Sequence, residues 1–577
     1  MSIRTLIVVS GFALSSVALA DLPNGVATGE TTTNSSLLWA HSTSVGNLSF
    51  QVATDPGFAN IIGTQGVSVS DPTAPVKAGF SGLSPATRYY YRAVDASGAI
   101  SSGTFKTAAP ANQYSGFRLG VSGDWRGELA PYPSLRNAAT ANLDLWMSLG
   151  DTIYADVASP AVPGGQAHTL SEYRAKHNET LSERFGLNVH RAIRQSTTVM
   201  ATIDDHEVTN DFAGGAAIST DPRFGPASPN LINTSDLYNN GLQAFHEYHP
   251  IEQRTYSGTG DARVDGRPDL YRTQKFGKDA AVFSLDARSF RDQELPGVAN
   301  PADPLQVLNF IGASFTPGRT MLGNPQLDRL KGDLLNAQQS GTTWKFVMMP
   351  EPIQNLGALA ASDRYEGYAA ERADLLRYIH DNNIQNVAFI SADIHGTLVN
   401  NVTYSDGPFQ PQIDSGAFEI TTGSGAYFAP FGPTVAGLAA QLNLPGSLPL
   451  TTYLSLPAAN QEAYIQGLIN AQLGGLGYDT LGLTGSNIQA QLLQGTWTAT
   501  NSYGWTQFDI DPITQQLRVT TYGIPYYNEA ALLANPTLIA NLQPQIVQEF
   551  VVNPIPNAGV LGTLVLGGLV MGRRRRN

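Results

Sequence analysis

Five apolar runs in the middle of this chain each end in a polar turn that carries an acid. They are Phe117–Val121 before Ser122-Gly123-Asp124, Leu143–Leu149 before Gly150-Asp151, Val199–Ile203 before Asp204-Asp205-His206, Ala281–Leu285 before Asp286, and Val387–Ile390 before Ser391-Ala392-Asp393-Ile394-His395. Continuous apolar runs this short read as strands buried on both faces. Helical patterns separate them, as in Glu371–Asp381, where Leu375, Leu376 and Ile379 share one face. Buried strands alternating with helices predict an α/β core. Function in such a core gathers at the carboxyl ends of the strands, where these acids lie.

The rest of the composition narrows the chemistry. Of 577 residues, 42% are hydrophobic, enough for a real core and against wholesale disorder. Charged residues make up only 14%, with a formal charge of −13, and no basic stripe exists to displace counterions from nucleic acid. The chain has no cysteine, which excludes disulfides, thiolate-bound zinc and a cysteine nucleophile. A serine hydrolase is a poor reading, because no G-x-S-x-G elbow occurs.

Residues 21–110 follow a different grammar. Short alternating runs at Ser36–His41, Leu48–Ala53, Val67–Val69, Tyr89–Val94 and Gly103–Lys106 are separated by turn clusters, which predicts a small all-β sandwich. Ala108–Asn112 reads as a linker into a catalytic domain over 111–552, which closes on a hairpin formed by Trp505–Ile510 and Gln516–Tyr522. Residues 431–501 are rich in Leu, Gly and Pro and carry no clear pattern.

Four polar clusters follow the buried strands: Asp124-Trp125-Arg126, Gly150-Asp151-Thr152-Ile153-Tyr154, Asp204-Asp205-His206-Glu207 with Asn210-Asp211, and Asp393-Ile394-His395. A single acid at a strand end is most often a cap or turn residue. Several converging on one sheet edge repel one another and need cations. Oxygen donors with imidazole and no thiolate suit calcium, magnesium, manganese, zinc or ferric iron, and not copper(I) or an iron–sulfur cluster.

The order and spacing of these clusters resemble the metallophosphoesterase pattern D-x-H, G-D-x-x-D, G-N-H-E and G-H-x-H, with Arg126 replacing the first His, Tyr154 the second Asp, and Asp204-Asp205 the G-N pair. Those substitutions resemble the alkaline phosphatase D (PhoD-like) family. The likeness continues through Leu285–Arg291, Leu322–Gln326, Trp344–Val347 and Glu371-Arg372. In residues 21–110, Leu83–Tyr91 is similar to the late-strand signature of fibronectin III/Ig-like modules.

The resemblance implies a four-layer β-sandwich flanked by helices and hydrolysis of phosphate esters at a multinuclear site of calcium with iron, zinc or manganese. Carried over by motif, Asp151, Tyr154, Asp393 and His395 would be ligands, joined by Asp205 and Asn210. The iron-containing branch has a cysteine just after the first strand where this chain has Ser122-Gly123-Asp124, so Asp124 is the candidate ligand there. The charges then suggest a metal-activated hydroxide attacking phosphorus, with Arg126 clamping the phosphoryl oxygens and His206 protonating the leaving oxygen. The alternative is a surface or matrix binding protein with an inactive core of this kind.

Both ends read as addressing signals. Residues 1–20 show Arg4, an apolar stretch and Ala18-Leu19-Ala20, the pattern of a cleaved secretory signal. Residues 553–577 place Pro554 and Pro556 before fifteen apolar or small residues and Arg573–Arg576, which resembles a PEP-CTERM sorting tail, with Ile555 where that motif has Glu. This predicts export, contact with sorting machinery, and membrane association only through this tail. The two ends hold five arginines and no acid, so their removal takes the formal charge from −13 to −18.

Overall fold

A computed structural model describes residues 22–301, 303–358 and 361–556. The amino-terminal strands are β1 (Val26–Gly29), β2 (Ser35–Ala40), β3 (Gly46–Ala53), β4 (Ile61–Val69), β5 (Val76–Ser81), β6 (Arg88–Val94) and β7 (Ile100–Lys106). β4-β3-β6-β7 form one sheet, which faces β1-β2-β5 over a core that includes Leu38, Leu48, Phe50, Tyr91 and Phe105. This is the sandwich that the alternating runs predict. One of its sheets is not separate, because β1 pairs in parallel with a strand of the main body.

That body begins with β8 (Phe117–Trp125), β9 (Leu145–Leu149), β10 (Thr198–Thr202), β11 (Arg272–Phe276), β12 (Ala280–Ser284), β13 (Trp344–Met348), β14 (Val387–Ser391), β15 (Thr397–Tyr404), β16 (Ile413–Thr421) and β17 (Ser424–Ala426). It ends with β18 (Ala490–Gln494), β19 (Thr498–Ala499), β20 (Ser502–Ile510), β21 (Leu517–Pro525) and β22 (Gln545–Val552). Two sheets result among the described residues. The larger runs β18-β22-β21-β20-β8-β9-β10-β1-β2-β5, and the other runs β11-β12-β13-β14-β16-β15-β19. The predicted hairpin is β20–β21.

The sheets pack face to face over Val121, Met147, Val282, Phe346, Ile390 and Phe508. The helices among the described residues are α1 (Leu170–Leu181), α2 (Val189–Ser196), α3 (Asp236–Tyr248), α4 (Pro304–Ser314), α5 (Asn324–Gln339), α6 (Ala369–Asp381), α7 (Phe431–Gln441), α8 (Leu450–Leu454), α9 (Ala458–Gly475), α10 (Glu529–Ala534) and α11 (Pro536–Ala540). Leu330 and Leu334 of α5 and Leu375, Leu376 and Ile379 of α6 cover the outer face of the second sheet. Ile193 of α2 and the 3-10 segment Pro133–Thr140 cover that of the first. The result is four layers, an α/β architecture with both strand faces buried, as the unbroken apolar runs require. Residues 431–475 become α7–α9. Their few charges and weak periodicity hid helices that pack mostly on one another.

No helix among the described residues is long and apolar enough to cross a membrane. The expected signal segment and the apolar, Arg-ended part of the carboxyl tail lie outside the described residues.

Candidate metal centre

β8, β9 and β10 run in parallel in adjacent positions, so their carboxyl ends, and with them Asp124, Asp151 and Asp204-Asp205-His206, share one edge. β14 of the facing sheet delivers Asp393 and His395 to the same edge. The turns are tight. Gly150 has φ +76°, and a Cβ there would sit 2.7 Å from that of Asp204. Asp124, Asp151, Asp393 and His395 all adopt left-handed φ values of 50–60°. Such backbone is uncommon for residues other than glycine and costs of order 1 kcal/mol each, and it is retained where surrounding structure holds a functional group in place.

Two donor groups result. One ligand atom from each of Asp124, Asp151 and His395 lies within 4.8 Å of the others, and the same holds for Asp151, Asp205 and His206. Asp151 belongs to both. Around them, the Tyr154 hydroxyl lies 3.4 Å from His395 Nε2, and the His395 ring stacks on Tyr427 with centroids 3.5 Å apart. His206 Nδ1 is 2.6 Å from Asp156 Oδ1. Glu207 binds the turns together: its carboxylate accepts from the Thr152 amide at 2.7 Å, the Thr152 hydroxyl at 2.6 Å and the Asp204 amide at 2.8 Å.

The electrostatics is that of like charges held out of water. Burial, followed by the neighbouring acids, raises Asp124 and Asp151 well above the usual carboxylate range. Asp393 is raised well above it too, by burial and then by Asp363. Burial lowers His395 well below its ordinary value. For His206 burial also lowers the pKa, but Asp205 and Asp156 outweigh it and hold the imidazole at about 9. Both carboxylate oxygens of Asp124 and Oδ1 of Asp205 are buried without a hydrogen-bond partner. Oxygens left in that condition are costly unless a cation meets them, so these donors fit hard metal ions.

Two further acidic groups are met in part by guanidiniums. Asp204, Glu351 and Asp393 approach one another, and so do Asp211, Glu294 and Asp363. Arg288 Nε donates to Asp204 at 2.7 Å, its other nitrogens contact Glu351 and Asp363, and Arg291 Nη1 reaches Asp363 at 2.9 Å. These two guanidiniums are fully buried. They hold the acids beneath the site together and face no open space.

Most of the residues anticipated from sequence come together here. Arg126 ion-pairs with Glu128 at 2.5 Å, with its guanidinium 5.6 Å from the Tyr427 ring and 6.0 Å from that of Tyr154. Asn210 is exposed, and its carboxamide donates to Asp211 at 2.5 Å. Sequence reasoning missed Asp156, Tyr427, Glu351 and Asp363. Glu351 was findable, since it follows the apolar run Trp344–Met349 as the other acids follow theirs. Tyr427 and Asp363 sit in irregular segments with no local pattern.

A buried two-sheet core with acids and imidazoles at one strand edge defines a metal-binding α/β protein of the metallophosphoesterase kind. The chain belongs to the PhoD-like phosphatase family, whose model matches residues 121–434, and the model of the family's N-terminal domain matches residues 13–109. It is 25% identical over 413 residues to alkaline phosphatase D of Bacillus subtilis (strain 168), a match covering 66% of this chain and 65%, slightly under two thirds, of that protein. A solved structure of PhoD superposes with a TM-score of 0.65 at 18% identity, covering 95% of this chain and 93% of that one, which is a likeness of fold.

Proposed function

We propose that this chain is an exported, metal-dependent phosphoester hydrolase. The observation that carries the reading is the pair of donor groups sharing Asp151, in which both oxygens of Asp124 and Oδ1 of Asp205 are buried without a partner. Asp124, Asp151 and His395 would hold one cation, and Asp151 and Asp205 a second, with Tyr154 beside the first and Asn210 beside the second. Asp393 would close the β14 side. Cations bound there supply Lewis acidity toward a phosphoryl oxygen and lower the pKa of water. Their identity, among calcium, iron, zinc and manganese, is for elemental analysis to decide.

The chain's own groups supply the rest. Water oxygen bonds to phosphorus as the bond from phosphorus to the ester oxygen breaks, and the departing alcohol takes a proton. His206, held protonated by Asp156 and Asp205, is placed to give it. Arg126, at the rim between Tyr154 and Tyr427, is placed to meet the non-bridging oxygens by exchanging Glu128 for phosphate. The amino-terminal sandwich over 21–110 serves as a buttress, since its β1 extends the sheet that carries the site. The segments 1–20 and 553–577 direct export and sorting.

Natively purified protein should contain metal and hydrolyse p-nitrophenyl phosphate or its bis-ester until a chelator is added. Full activity in an Asp151→Ala/His395→Ala variant would overturn the proposal.

A further inference from the structure

Beside the Asp393–His395 end of the site lies a cavity of about 380 Å3, in the range that holds a small organic ligand. Its two walls differ in character. Asp211, Glu294 and Asp363 stand on one side, and α7 and α9 form the other. The buried faces of those helices make a cluster of their own, in which Ala436, Ile465 and Leu473, with Tyr453 of α8, pack on Leu398. Leu438 and Leu468, and Leu444 just past α7, are not members of that cluster. They are partly exposed and line the cavity. Leucines that a helical core does not use, placed against a reactive site, are a binding surface for apolar matter. These residues lie beyond the segment that the family model matches, which ends at 434.

The acids on the opposite wall sharpen the choice. Asp363 is neutralised by Arg288 and Arg291, and Arg364, which also lines the cavity, is paired with Glu366, so with Asp211 and Glu294 the acids outnumber the free cations on that wall. A substrate group bringing further negative charge meets repulsion there, and a polyol leaves the leucine wall unmatched.

We propose that the cavity receives the esterifying group of the phosphoester, and that this group is an uncharged apolar chain or ring. The inference rests on the phosphoester reading above and assigns its substrate class. The bond broken is the same: the ester oxygen leaves phosphorus carrying the apolar group, which departs as an alcohol into the cavity.

The test is binding of methyl-, butyl- and octylphosphonate to natively purified protein by titration calorimetry. Affinity should rise roughly fourfold per methylene until the cavity fills, with an increasingly negative heat-capacity change. Leu438→Asn and Leu468→Asn, on separate helices, should each reduce the octyl-to-methyl affinity ratio by about tenfold. Equal affinities along the series overturn the proposal, as does an unchanged ratio in both variants. Alcohol release from octyl phosphate, glycerol phosphate and their methyl diesters then separates the two levels. Equal kcat/KM for the octyl and glycerol esters overturns the apolar assignment alone. No turnover of any ester overturns the phosphoester reading and this inference with it.

Discussion

His395 Nε2 lies 3.8 Å from Asp124 Oδ1, so the turn after β14 and the end of β8 meet across the two sheets. The imidazole is held neutral by burial, so it does not compensate the carboxylate. Asp124 is left fully buried with both oxygens unpartnered. The arrangement is unfavourable until a cation enters.

Asp124→Asn should therefore stabilise the chelator-treated protein by about 1–2 kcal/mol, because a neutral amide avoids the cost of burying an acid that is ionised in the unfolded chain. It should also lower bound metal and reduce hydrolysis at least about tenfold. Thermal melts with and without chelator, with elemental analysis, check both. A variant less stable than wild type in chelator would refute the account.

Metal removal should lower the melting temperature of the wild-type protein, since ions that bind only the folded state stabilise it by mass action. The shift should shrink in Asp151→Asn, because Asp151 serves both donor groups. Scanning calorimetry against chelator concentration measures this.

Glu207→Ala should destabilise the protein by about 2–4 kcal/mol, as the Thr152 and Asp204 amides lose a buried acceptor. Activity should fall with it although Glu207 belongs to neither donor group, because the turns carrying Asp151 and Asp205 lose their tie. Urea unfolding and metal content check the two effects.

Arg288→Met leaves Asp204, Glu351 and Asp363 without their shared cation and should cost about 3–5 kcal/mol. Arg288→Lys should recover less than half of that, since one ammonium cannot reach three carboxylates with the geometry of a guanidinium. Denaturant midpoints of the two variants decide it.

Lys345, on β13, is buried, and its ammonium donates to Gln338 Oε1 at 2.6 Å and the Gln385 carbonyl at 2.9 Å, with no acid paired to it among the described residues. Burial lowers its pKa to about 7 from 10.5. Between those values the unfolded chain binds the proton and the folded one does not. This group therefore makes stability rise from pH 7 to pH 10.5, by up to about 1.4 kcal/mol per pH unit. Below pH 7 its full penalty applies. Lys345→Met should flatten that part of the profile, read by urea midpoints in chelator. An unaltered slope would refute it.

Much of this was legible from local pattern. Val199–Ile203 followed by three polar residues could only be a buried strand emerging at an edge, and Glu371–Asp381 showed its helical face outright. Residues 431–475 were not legible, because helices that pack on one another keep no sharp polar–apolar boundary. Glu351 was overlooked although it obeys the strand-end rule, whereas Tyr427 and Asp363 follow no rule that a sequence displays.

What the sequence alone determined is the inventory: which strands are buried, which acids close them, and that only cations could reconcile those acids, since periodicity and charge are local properties. What only the tertiary structure decided is the pairing. Asp151 belongs to two donor groups, Arg288 neutralises acids beneath them, and α7 and α9 bring leucines to the opening. Those relations depend on distances between strands far apart in the chain, set by the register of two packed sheets, and no local pattern encodes them.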